Sequence, residues 1–175
     1  MAKYIFPVTY VIDRNGIWLG LKKERKLQRQ REQLGIGLYN GFGGLQRTGE
    51  PIEITARREV KAESGLEVLE MVKCGVALIL HDYDDVEIEL HFFLVTRHQG
   101  EAVESDEMIP KWFDKDKIPY NQMWPSDRHT LRKFLSGKNC IALFTINQQK
   151  ALVAPPKIKI VTTLPKTIDW QSYKF

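Results

Sequence analysis

Apolar positions along the chain fall mostly into short β-type runs and take helical spacing in two places. Tyr4 to Ile12 and Ile17 to Leu21 are rich in β-branched and aromatic residues. They flank Asp13-Arg14-Asn15-Gly16, where Asn-Gly is a tight-turn signal, so an opening hairpin is expected. Val68 to Leu80 and Val86 to Arg97 are two longer runs around an acidic turn, His81 to Asp85. In the second of them Val86, Ile88 and Leu90 alternate with Glu87, Glu89 and His91, and Phe92 to Val95 are then continuously apolar, the pattern of a strand entering a sheet centre. Ile52, Ala56 and Val60 instead recur one helical turn apart. Glu50-Pro51 starts that helix and Gly65 stops it, because proline is tolerated at the first helical position and glycine takes the left-handed stop.

Downstream, Gln99 to Pro110 reads as an acidic loop, Lys111 to Phe113 as a short strand, and Ile118-Pro119 as a turn. A second helix is expected over Ser126 to Leu135, with Ser126 or Asp127 as its cap. Ile141 to Ile146 and Ala151 to Val153 suggest a terminal hairpin around Asn147 to Lys150, and Pro155, Pro156 and Pro165 an extended tail. Strands on both sides of one helix, with a second helix near the end, predict an α/β (α+β) fold in which helices sandwich a mixed β-sheet. The expected division is a domain over residues 1–153 and a tail over 154–175 that packs on it or extends from it.

Composition narrows this only a little. A chain of 175 residues, 43% hydrophobic and 27% charged, suits one globular domain. No apolar run approaches the ~20 residues of a membrane helix. The N-terminus reads as a strand and not as a signal peptide, which places the protein in the cytoplasm by default. Cys74 and Cys140 have no metal-type spacing and are expected to be free thiols. A net charge of +4 suits an anionic substrate but is low for a dedicated nucleic-acid binder. The densely basic Lys22 to Gln33 has no apolar stripe and is either a solvated loop or a short exposed helix, from which Lys22 or Lys23 could reach a phosphate.

The chemistry concentrates between Gly41 and Leu66. Asn40, Gly41, Gly43 and Gly44 form a tight loop, since glycine serves where the chain bends sharply or approaches a ligand. In the helix that follows, Glu59 and Glu63 lie one turn apart on a single face. Two such carboxylates beside free backbone carbonyls suit a hard divalent cation such as magnesium, although an amphipathic helix with solvated charges would look the same. The spacing of Gly44, Glu50, Arg58, Glu59, Val60, Glu63, Gly65 and Leu66 resembles the Nudix signature G-x5-E-x7-R-E-U-x-E-E-x-G-U, and only Ala62 departs, where the signature has glutamate.

Three further stretches, YNGFGG (Tyr39 to Gly44), AVESDEMIPKWF (Ala102 to Phe113) and IPYNQMWPSD (Ile118 to Asp127), resemble the MutT-type oxidised-purine nucleoside triphosphate hydrolases of the animal kind. That resemblance implies a magnesium-dependent hydrolysis of a nucleoside triphosphate to monophosphate and pyrophosphate, with manganese as an alternative ion. It implies metal ligands Glu59, Glu63, the Gly43 carbonyl and Glu107, with Arg58 fixing a glutamate and Lys22 meeting a phosphate. It also implies base recognition by Asn40, Trp124, Ser126 and Asp127, where serine replaces the first of two successive aspartates. Ala62 removes one acidic group and is expected to weaken metal binding and lower activity.

Three other functions stay open from the sequence: hydrolysis of another nucleoside diphosphate-linked substrate, nucleotide binding with weakened catalysis and, more weakly, nucleic-acid binding through Lys22 to Gln33. The expected partner is a small-molecule nucleotide, without membrane and without nucleic acid, to a monomer or homodimer.

Overall fold

The computed structural model describes residues 2–24 and 35–175, so most of the basic Lys22 to Gln33 segment lies outside the described residues. Its frame is one twisted sheet of β1 (Ala2–Ile12), β2 (Gly16–Lys22), β3 (Tyr39–Asn40), β4 (Glu67–His81), β5 (Val86–Gln99), β6 (Met108–Asp114), β7 (Asn139–Ile146) and β8 (Lys157–Val161). The strand order is β3-β2-β1-β5-β4-β7-β8, and β6 pairs with β2. β1 runs parallel to β5 and β4 parallel to β7, while the other pairs are antiparallel, so the sheet is mixed.

Side chains alternate across each strand, and the two helices cover opposite faces. Helix α1 (Ile52–Ser64) puts Val60 against Val11, Phe42, Leu66 and Val95, and Ile52 and Ala56 against Phe93. Helix α2 (Pro125–Leu135) puts Leu131 and Phe134 against Tyr10, Phe92 and Phe144 on the other face. Neighbours in sequence, Tyr10 and Val11 or Phe92 and Phe93, thus belong to different cores. The expected sandwich is present.

Local expectations fare unevenly. The opening hairpin forms, but it pairs only Val11 with Trp18 and Ile12 with Ile17. β1 spends its length beside β5, from Ala2↔Val86 to Val11↔Val95, and β2 beside β6. Pro51 is the N-cap of α1 and not its first residue, and Gly65 ends it with φ 75 and its N–H on the Lys61 carbonyl. The expected cap of α2 is corrected: Trp124 is the N-cap, Pro125 the first residue, and Ser126 and Asp127 lie buried in the first turn. A proline-led start suits a helix without a side-chain cap, because the missing N–H would have lacked a partner.

The end of the chain also differs. Val153 and Ala151 make only a bridge-like return to β7, through Ile146↔Leu152 and Val153 N–H on the Thr145 carbonyl at 3.0 Å. The partner along β7 is β8, inside the expected tail, with Cys140↔Ile160 and Ala142↔Ile158 in register. Trp170 then returns across the sheet to β5, where its Nε1 donates to Glu89 Oε2 at 2.7 Å. Cys74 and Cys140 are buried free thiols, as expected.

Candidate functional site

The glycine loop is held against β1. Phe42 and Thr9 exchange two backbone hydrogen bonds of 2.8 Å, and a β-carbon on Gly43 would lie 1.9 Å from the Pro7 carbonyl oxygen. Only glycine permits that approach. A β-carbon on Gly44 would instead lie 2.6 to 2.8 Å from the carboxylate of Glu59, so the missing side chain leaves the space that Glu59 fills.

Around that space the acidic groups converge. Glu63 is 3% exposed, and its Oε2 accepts the Gly43 N–H at 2.8 Å. Burial first, and then the charges of Glu59 and Glu107, push its carboxyl up to about 8 against the pull of the Gly43 N–H and Lys22. Burial also raises Glu59, opposed chiefly by Arg58. Arg58 forks onto Glu50, with Nε 3.0 Å from Oε1 and Nη2 2.9 Å from Oε2, and its Nη1 donates to Glu59. That fork, with the Thr55 hydroxyl at 2.7 Å, holds the Glu50 carboxyl down to about 2. Arg58 therefore secures a glutamate, as expected, and Glu50 is the one it holds by two bonds.

Glu107 reaches this corner because its loop is docked on the end of α1. Ser105 Oγ donates to the Glu63 carbonyl at 3.1 Å, and Val103 N–H to the Ser64 carbonyl at 2.9 Å. From β2, Lys22 Nζ lies 3.8 Å from Glu107 Oε2, and Lys23 Nζ lies 2.5 Å from Glu104 and 3.0 Å from the Ser105 carbonyl. Lys22 thus sits among the carboxylates, and the whole set offers oxygen donors only. As the side chains stand, no three carboxylate, histidine or cysteine groups among the described residues are arranged to hold a metal ion.

A second group lies on the α2 face. A β-carbon on Gly35 would meet Asn40 Nδ2 and Trp124 Nε1, each at 3.2 Å, so the amide and the indole edge border one small space. Trp124 is half-buried and no core tryptophan. Asp127 is 3% exposed; Tyr10 Oη donates to its Oδ1 at 3.2 Å, while Oδ2 is buried without a hydrogen-bond partner. Burial pushes its carboxyl up to about 7, with the Tyr10 and Ser126 hydroxyls pulling the other way. A buried carboxyl with a vacant oxygen needs a donor from outside the protein, or its own proton.

Sequence reasoning missed Tyr10, Ser105 and Lys150. Tyr10 sat in a plain β-type run and Ser105 in an acidic loop, so neither carried a local signal. Lys150 lay in an expected turn, and its ammonium stands 5.4 Å from the centre of the Trp124 ring.

Known proteins share this arrangement of sequence. The family model described as NUDIX domain matches residues 11–134. A Danio rerio protein named oxidized purine nucleoside triphosphate hydrolase is 36% identical over 149 residues, covering 85% of this chain and 90% of that protein. A Mus musculus protein of the same name is 31% identical over 150 residues, covering 86% and 91%. The crystal structure of a Bacillus halodurans MutT protein superposes with a TM-score of 0.75 at 23% identity, covering 89% of this chain and 97% of that one.

Proposed function

The chain belongs to the NUDIX family, and from that premise we propose that it hydrolyses an oxidised purine nucleoside triphosphate to the monophosphate and pyrophosphate. The observation that carries this reading is the pairing of two groups about one loop. The oxygen donors of Glu59, Glu63 and Glu107 lie on one side, and Asn40, Trp124 and the vacant oxygen of Asp127 on the other.

The acidic corner fits a divalent cation. Its donors are all oxygen, and mutual repulsion with burial raises Glu63 and Glu59, which a dication would offset. Glu59, Glu63, Glu107 and the Gly43 carbonyl would hold magnesium, which when bound neutralises the triphosphate and makes water a better nucleophile. Arg58 keeps Glu59 oriented through its hold on Glu50. The Glu59 carboxylate, raised by burial, is suited to take a proton from the attacking water. Lys22 neutralises phosphate charge beside Glu107. On the other side Trp124 stacks the purine, and Asn40, Ser126 and Asp127 meet its edge.

The exposed Ala62, in place of a signature glutamate, favours one second reading, a nucleotide-binding module with weakened catalysis. Pyrophosphate release from a panel of normal and oxidised nucleoside triphosphates, with and without magnesium, separates the two. Magnesium-dependent release that falls by roughly a hundredfold or more in Glu63→Gln is expected, the usual scale for an essential group. Nucleotide binding without release in the wild type would instead support the binding module.

A further inference from the structure

Lys150 is the only non-glycine among the described residues with positive φ, at 63°. L-residues avoid that region, and lysine has no local hydrogen bond to gain there. The turn around it is fully tied: Lys150 N–H donates to the Asn147 carbonyl at 2.9 Å, Asn147 N–H to the Ala151 carbonyl at 3.0 Å, and Ala151 N–H to Asn147 Oδ1 at 3.0 Å. The constrained backbone belongs to a residue whose side chain leaves the turn and ends over Trp124. A backbone outlier that aims a cation at an aromatic ring points to a use for that cation.

The indole edge borders Asn40, and its face carries the Lys150 ammonium. A purine that stacks on that face takes the ammonium's place over the ring and leaves it at the rim of the base, within reach of an edge acceptor. Lysine offers three donors and no acceptor, so it favours a base with carbonyl oxygens over one with an exocyclic amine. Guanine and its 8-oxo form both present O6 as an acceptor, whereas adenine presents a donor at N6. Resting on the nucleotide reading above, we propose that Lys150 is a base-specificity residue that selects 6-oxopurines over 6-aminopurines at the Trp124 face. It complements the neutral hydroxyl of Ser126 with a charged donor on a different element.

Lys150→Asn is a suitable variant, because asparagine tolerates positive φ and the fold is expected to stand. Lys150→Arg keeps the charge. Binding of dGMP, 8-oxo-dGMP and dAMP is measured by calorimetry without metal, so the result does not depend on turnover, and kcat/KM for the triphosphates is measured alongside. The wild type is expected to prefer the two guanine nucleotides, and Lys150→Asn to lose roughly tenfold of that preference, the scale of one charge-assisted hydrogen bond, while Lys150→Arg retains most of it. An unchanged preference in Lys150→Asn, or no preference in the wild type, overturns the proposal. Absent hydrolysis with the binding preference intact would count against the enzymatic reading alone.

Discussion

Asp127 ties the stability of the fold to pH. Its carboxyl is fully enclosed, accepts from Tyr10, and is raised by burial from 3.8 to about 7. The fold therefore favours the protonated form. The resulting stabilisation is complete below the unfolded value near 3.8 and is lost as pH rises through about 7. Chemical denaturation at pH 5 and pH 8 is expected to show the wild type losing more stability across that interval than Asp127→Asn, by up to a few kcal/mol. Equal losses would mean that Asp127 is ionised in the fold at both pH values. With Asp127 as the proposed base contact, the same proton would set recognition, since the protonated carboxyl offers a donor to a base edge and the ionised one only acceptors.

At the scale of elements, helix α1 supplies two faces with different tasks. Ile52, Ala56 and Val60 lock it to the sheet, while Arg58, Glu59 and Glu63 are carried at the neighbouring positions. Ala62 lies on the exposed side of the last turn, where a longer side chain meets no core. Ala62→Glu is therefore expected to leave the melting temperature within a few degrees. It should raise turnover at limiting magnesium several-fold, because affinity for hard cations follows ligand charge and number. An identical magnesium dependence in the two proteins would remove any metal role from this position. The acidic loop is the second element that matters, and its two hydrogen bonds to the end of α1 deliver Glu107.

On the scale of the molecule, the last residues close the sheet. β8 covers the edge of β7, and Trp170 ties the segment after it to Glu89, which also pairs with Lys3 at 2.7 Å and His91 at 2.8 Å. These partners outweigh burial and hold the Glu89 carboxyl at about 2. That contribution is present above the ordinary value of 4.5 and is lost as pH falls toward 2. Trp170→Phe keeps the ring and removes the N–H, and is expected to cost about 1 kcal/mol in urea at pH 7, with a smaller difference at pH 3. No difference at pH 7 would show that the tail is held by apolar contact alone. No helix among the described residues is long and apolar enough to cross a membrane.

Local chemistry made much of this protein legible from sequence. Asn15-Gly16, Pro51 and Gly65 punctuate the chain because turns and helix ends constrain backbone angles within a few residues. The four-residue spacing of Glu59 and Glu63 gave their shared face, and fixed spacings from Gly44 to Leu66 gave the family. What needed the tertiary structure was every relation between distant strands. The parallel pairing of β1 with β5, the choice of β8 over Ala151–Val153 as partner of β7, and the meeting of Tyr10 with Asp127 leave no periodicity in the sequence. Nor did local spacing indicate that Lys150 would stand over Trp124. Such pairings are decided by which apolar faces can be buried together, a property of the whole sheet that no short window of residues contains.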